Sequence, residues 1–478
     1  MKALNSLIFI IVVLALLGGV GTFFPEEGVS IGSRKLYFPS IENIFADDSH
    51  STEVFQRLQA IEEGLQQQRY QDSLYVDSLS LYTNFFEGSP TRIYLPDNDW
   101  NYFNDFFADL ENCHRNGKIV RILHYGDSQI ESDRITGYIR QRLQEKFGGY
   151  GPGLLPAVQP IPSYTVGQSA SENIERYIVS GMHQNRAPHR RYGAMGQFGT
   201  INGSGFISVN ARNWKNNYEN VREFQTIRLF VGNAKNFKAQ LTSPLKETVK
   251  ETLAEDASPV RVYTWDLPAP VNKFSLRMSG SGEVYGIAAD GTSGVAVDNI
   301  PFRGSSGTFF SMLDAGVMTS MLKQLNVRLI MLEFGGNMIP VTRNEKIVRD
   351  YRNKMSEQIA YLKKVCPEAK ILMIGPSDIS TKVNGRLTTY PYLPLLVEAL
   401  KEAALENGVA FWNMYEVMGG HNSMIEWVRH SPALAAPDYI HFTAKGTERI
   451  AGLFCETLMV YYDYYRFTTS KMCPAQYN

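Results

Sequence analysis

A serine hydroxyl is a weak nucleophile until an imidazole accepts its proton and a carboxylate fixes the tautomer of that imidazole. The sequence holds such a set in two distant pieces. The segment His124-Tyr125-Gly126-Asp127-Ser128-Gln129-Ile130-Glu131 closes an apolar run and opens a helical stripe. Ser128 is therefore expected where a strand passes straight into a helix N-terminus, whose unpaired amides favour developing negative charge, with Glu131 and Asp133 suited to the first turn. The second piece, Pro437-Asp438-Tyr439-Ile440-His441-Phe442-Thr443, precedes the last helix, and of eight histidines only His441 has an acid at this spacing in such a loop. Plainer roles exist for both: Asp127 or Ser128 as an ordinary N-cap, and His441 as a structural loop histidine. The G-x-S-x-G nucleophile elbow is not matched, because Ile130 replaces its closing glycine.

Negative charge that develops during attack on a carbonyl needs donors. Glu333-Phe334-Gly335-Gly336-Asn337 follows an apolar run and presents an amide side chain, a type of donor that typically changes a rate by ~10²–10³. Asp298-Asn299-Ile300-Pro301-Phe302-Arg303-Gly304 ends in a glycine that lets a backbone amide come close to an anion. As isolated glycine turns, both are equally at home as structure. His124 and Asp127 lack a second His/Asp set at ligand spacing, so no metal is expected.

Such residues act together only if the chain brings them to one edge. Residues 119–124 read as a strand, and Ile135, Ile139, Leu143 and Phe147 stripe one helix face. The alternation resumes with a helix at 312–325, a strand at 327–332, a helix striped by Ile347, Tyr351, Met355, Ile359 and Leu362, and a strand at 370–374. A helix at 393–405, a strand at 409–412 and a closing helix at 447–461 follow. Strand-helix alternation demands parallel pairing with helical crossovers, hence a doubly wound α/β core. From about Gly148 to Asn299 the rhythm lapses into short strand-like runs at 205–209, 226–231, 260–265 and 273–278, separated by Gly, Pro and Asn, which predicts an inserted β-sandwich. The expected organisation is a signal peptide or membrane anchor at 1–25, a helical stalk or collar at 26–95, core at 96–147, insertion at 148–296 and core again at 297–478.

The 478 residues are 44% hydrophobic and 20% charged, ample for a large core, and the formal charge of −1 offers no field for nucleic acid. Leu7 to Phe24 is uncharged and nearly all apolar, with Lys2 before it and Glu26 and Glu27 after, the pattern of an export signal, either cleaved or kept as an inner-membrane anchor. Either outcome puts the rest outside the cytoplasm. Phe55, Leu58, Ile61, Leu65 and Leu74 mark an amphipathic helix, with too few clean heptads for a coiled coil. Four cysteines show no C-x-x-C, and Cys113 and Cys473 flank the core as a pair available for a disulfide. His183, Arg186, His189, Arg190 and Arg191 form a basic cluster, a solvated loop or a contact for an acidic glycan. Trp214, Tyr218, Tyr263 and Trp265 are either core or a sugar-stacking platform.

Taken in order, Gly126-Asp127-Ser128, Gly304, Gly335-Gly336-Asn337 and Asp438-x-x-His441 resemble the SGNH (GDSL) hydrolase family over roughly residues 117–147 and 297–461. The resemblance implies a flavodoxin-like core, Ser128 as nucleophile, His441 as base and Asp438 as its orienter. It further implies oxyanion donors at Gly304, Asn337 and the Ser128 amide, with no cofactor. Gln129 stands where the family usually has leucine, a position expected to do no chemistry, and Met338 where many members have aspartate. The inserted β-domain and the run Asp290-Gly291-Thr292-Ser293-Gly294-Val295 are similar to envelope enzymes that add or remove O-acetyl groups on peptidoglycan or other polysaccharides. The expected protein is an exported, periplasmic or envelope serine esterase taking acyl, chiefly acetyl, groups from a polysaccharide. The alternatives are an O-acetyltransferase with the same triad and a non-catalytic glycan-binding protein on a hydrolase fold; subunit number has no signature.

Overall fold

The computed structural model describes residues 78–181, 184–212, 218–245, 247–251 and 258–471, short stretches at 29–31, 34–36, 56–57 and 59–65, and positions 9, 13, 19 and 20. The export-signal stretch, apart from those four positions, lies outside the described residues, as do His183, Trp214 and Cys473. Among the described residues no helix is long and apolar enough to cross a membrane.

The core sheet has six strands: β1 (Ile93–Tyr94), β2 (Ile119–Gly126), β6 (Gly294–Pro301), β7 (Val327–Glu333), β8 (Lys370–Ile374) and β9 (Ala410–Trp412), in the order β6-β2-β7-β8-β9-β1. All neighbours are parallel except β1 with β9. The two-residue β1 is too short to leave a period in the sequence. Alternate residues of one strand feed opposite faces. Ile122 joins one apolar cluster with helices α1 (Arg134–Phe147) and α5 (Ala444–Lys471), while Leu123 joins the other with α2 (Ala315–Leu325), α3 (Glu345–Val365) and α4 (Leu393–Glu406). Both faces are covered, which is why these strands are apolar without alternation. The first parallel strand, β2, lies between the second and third, β6 and β7, so the winding direction reverses beside it, at the crevice where open α/β sheets take ligands. The strand ends align in one row, Pro301, Gly126, Glu333, Ile374 and Trp412, and the loops leaving them form a common rim.

The insertion between α1 and β6 is antiparallel and differs from the expected pair of sheets: its eight strands form one continuous sheet. Its spine is β3 (Gln197–Ala211), β4 (Phe224–Thr242) and β5 (Lys273–Asp290), with β5 between the other two. Of the runs read as short strands, 260–265 falls in a separate strand, Arg261–Val271, paired with β4, while 205–209, 226–231 and 273–278 are pieces of these long ones. Glycines and asparagines inside them mark bulges rather than ends: the β5–β4 register shifts around Gly280, whose φ of 96° and closeness to the Asn236 carbonyl admit no Cβ. Tyr263 and Trp265 are buried in this domain and stack on each other, so they are core and not a sugar platform.

Insertion and core meet at buried charge. The guanidinium of Arg121 on β2 donates to Asp298 on β6 at 2.6 Å and to Asp290, the last residue of β5, at 2.5 Å, with all three side chains at most 1% exposed. Asp298 also accepts the Leu154 amide at 2.8 Å. The Asp290–Val295 run is thus the seam between the two units, and the parallel sheet is re-entered already at Gly294. At the other end of the chain, Ile61 and Leu65 pack on the core and Glu62 pairs with Arg449 at 2.9 Å, so the helical turns at 59–65 dock against the α/β layer.

Candidate active site

β2 ends at Gly126, and the chain then turns instead of entering a helix. Ser132 and Asp133 both adopt left-handed backbone (φ 61° and 69°), so α1 begins only at Arg134. The expected direct passage from strand to helix is corrected here, and with it the idea that a helix N-terminus faces Ser128. Two left-handed non-glycine residues in succession interrupt the helical path, and ion pairs hold them. Asp133 takes the fork of Arg140 at 2.5 and 3.0 Å and the Thr165 hydroxyl at 2.9 Å, and Glu131 takes Arg303 at 2.8 and 2.5 Å. Asp127 does not cap a helix; its Oδ1 accepts the Gln129 amide at 3.0 Å, closing an Asx turn that presents Ser128. Arg134 reaches back to donate to the Ser128 and Glu131 carbonyls.

His441 arrives from the opposite end of the chain. Its Nε2 lies 2.9 Å from Ser128 Oγ across 313 positions of sequence, and its Nδ1 lies 2.7 Å from Asp438 Oδ2. Asp438 also accepts the amides of Ile440 and His441, each at 3.0 Å, in a turn whose Tyr439 is left-handed (φ 57°). Partial burial opposes ionisation of Asp438, but the hydrogen bonds from the His441 ring and from the two amides outweigh it and hold the carboxyl below the usual range. A carboxylate can only accept, so Nδ1 carries the ring proton and the Nε2 lone pair faces the serine. The arrangement can remove the serine proton as oxygen attacks an acyl carbon and return that proton to the leaving oxygen.

The polar floor is buried. Asp127 is held by the Asn337 amide at 2.9 Å, and burial, reinforced by the nearby charge of Glu333, pushes its pKa up to about 7. Glu333 contacts His124 Nε2 at 3.1 Å, and His124 Nδ1 meets the Thr136 hydroxyl at 3.0 Å. His124 is therefore spent on this network, and no group of His, Cys, Asp and Glu among the described residues is arranged to hold a metal ion. A cavity of about 160 Å³ opens over the floor, lined by Ser128, His441, Asn337, Gly336, Phe334 and Met414 among others.

Ser128, Asp438, His441 and Asn337 meet at this rim. Asn337 is placed with both amide hydrogens engaged, one on Asp127 and one on the Ser305 carbonyl at 3.1 Å, so an oxyanion would draw on a donor already shared. Gly304 (φ 74°) stands in the adjacent turn but is not among the residues lining the cavity. His189 and Arg191 of the basic cluster turn onto Glu283 at 3.1 and 2.9 Å. Cys113 is buried without a disulfide, its thiol donating to the Leu110 carbonyl at 3.0 Å. Gln129 does more than sequence reasoning allowed. Its buried Nε2 donates to the Ile440 carbonyl at 2.6 Å and to Ser377 Oγ at 3.2 Å, fastening the serine turn to the histidine loop. An amide among Ile130 and other core residues was the available signal.

Residues 283–449 match the GDSL-like Lipase/Acylhydrolase family model. Curated proteins yielded no match. Among solved structures, one described as a peptidoglycan O-acetylesterase is similar at 20% identity and a TM-score of 0.60, covering 77% of this chain and 96% of that one, which shows a shared fold. A family two carbohydrate esterase from Cellvibrio japonicus aligns at 10% identity over 63% and 99% of the two chains with a TM-score of 0.25. A carbohydrate acetylesterase from Sinorhizobium meliloti aligns at 12% identity over 34% and 78%, with a TM-score of 0.24.

Proposed function

We propose that this chain, a serine esterase carrying a domain of the GDSL-like lipase/acylhydrolase family, removes O-acetyl groups from a polysaccharide of the cell envelope, peptidoglycan being the first to test. The observation that carries the reading is the unbroken path Asp438–His441–Ser128, at 2.7 and 2.9 Å. Ser128 attacks the ester carbonyl while His441 takes its proton and then protonates the departing sugar oxygen. Water activated by the same imidazole releases acetate from the acyl-enzyme. The Ser128 amide and Asn337 stabilise the oxyanion. Asn337 does so by giving up one of its two present partners. The small cavity favours a short acyl group. Export of the protein, suggested by the apolar stretch Leu7 to Phe24, would bring it to such a polymer.

The test is acetate release from purified O-acetylated peptidoglycan by wild type, Ser128→Ala and His441→Ala. Loss of release in both variants is expected, and full activity in either overturns the mechanism. Acetylated oligosaccharide appearing faster than free acetate, when an activated acetyl ester and an acceptor sugar are supplied together, would replace the hydrolase reading by a transferase.

A further inference from the structure

The catalytic cavity, about 160 Å³, equals roughly five water volumes at ~30 Å³ each. An acetyl group and the carbon bearing its ester fill it, so most of a polymer must rest elsewhere. A second cavity, of about 850 Å³, opens at the same edge of the sheet. The two have no lining residue in common, but consecutive residues after β9 line one or the other. β9 ends at Trp412; Met414 lines the catalytic cavity, and its chain neighbours Asn413 and Tyr415 line the large one, together with Pro394, Val397 and Glu398 from the first turns of α4.

The walls of the large cavity combine two chemistries. Phe85, Ile61, Leu65 and Val397 are apolar, whereas Asn413, Glu416 and His421 offer donors and acceptors. Sugars present the same combination, flat C–H faces edged by hydroxyls, and 850 Å³ falls within the range typical of ligand sites. Two carboxylates, Glu398 and Glu416, against one guanidinium, Arg57, on the walls argue against a polyanion. Glu416 Oε2 is fixed toward the Tyr94 hydroxyl at 2.9 Å and Asn413 Nδ2 at 3.2 Å, and Glu398 pairs with Lys401 at 2.7 Å, so both carboxylates stay as acceptors suited to hydroxyl groups.

We propose that this cavity is a distal subsite that binds the neutral sugar backbone of the polymer whose ester is cleaved at Ser128. The inference rests on the esterase reading above and adds where the chain lies. Its experiment compares two substrates on the full protein: a small activated acetyl ester that reaches only the catalytic cavity, and an O-acetylated oligosaccharide of at least four sugars. Ala60→Trp, at an exposed position of the cavity wall, narrows the large cavity, and His421→Ala removes a polar contact. Either variant should lower the ratio of oligosaccharide to small-ester kcat/KM at least fivefold, through KM. Wild type should also bind a tetrasaccharide of N-acetylglucosamine carrying no O-acetyl groups, by intrinsic fluorescence, more tightly than Ala60→Trp. An unchanged ratio in a folded variant overturns the subsite. Failure of wild type to cleave even the small ester overturns the esterase reading instead, so the two failures are distinct. If Ala60→Trp does not fold, His421→Ala decides alone.

Discussion

Gln129→Leu separates catalytic geometry from stability. Leucine has nearly the same size but removes the two donations from Nε2, to Ile440 and Ser377. Each neutral hydrogen bond contributes about 0.5–1.5 kcal/mol net, so the tether between the serine turn and the histidine loop is worth about 1–3 kcal/mol. The same substitution deletes Gln129 Oε1, a buried acceptor without a hydrogen-bond partner, and such an atom costs about 1–3 kcal/mol. The two effects oppose each other in global stability. They do not oppose each other at the site, because only the tether holds the Ile440 carbonyl, one residue from His441. At about 1.4 kcal/mol per tenfold, kcat should fall by roughly 5- to 150-fold while Tm moves little and KM for a small acetyl ester holds. Steady-state kinetics and thermal unfolding on the same preparation check this. Gln129→Glu should do worse than leucine at neutral pH, since a carboxylate would face the Ile440 carbonyl. A leucine variant within twofold of wild-type kcat at unchanged Tm would refute the tether.

Asp127 has its pKa raised to about 7, so its carboxyl keeps a proton in the folded state that the unfolded chain gives up near its ordinary value. The folded state is therefore favoured below that ordinary value, and this contribution is lost as pH rises toward 7. Asp127→Asn should gain Tm relative to wild type across that window, as read in unfolding scans between pH 4 and 7, and a pH-independent difference would count against a protonated Asp127. Arg121→Met strands Asp298 without its cation, leaves Asp290 only Arg228 at 3.3 Å, and should cost about 3–5 kcal/mol in denaturant unfolding. A loss under 1 kcal/mol would mean that the seam between insertion and core does not depend on this clamp.

Strong periodicity survived folding. The four-residue stripe from Ile135 to Phe147 became α1, and the apolar runs at 327–332 and 370–374 became β7 and β8, because a fully buried parallel strand and a one-faced helix each leave a pattern that no neighbour can overrule. The insertion misled because glycine and asparagine break a pattern whether they end a strand or bulge it, and only cross-strand register tells these apart. Tyr263 and Trp265 stayed open between core and sugar platform until the fold placed them in the core, since an aromatic on a strand carries no mark of which face is covered.

The residue types for acyl transfer, their order along the chain and the alternation that sets strands parallel are properties of the sequence by itself, for they arise from local chemistry and period. The meeting of Ser128 with His441, the left-handed pair Ser132 and Asp133 that delays α1, and the use of Gln129 as a strut belong to the tertiary structure. A hydrogen bond between residues hundreds of positions apart is chosen by sheet order and strand register, and neither is written in any single segment.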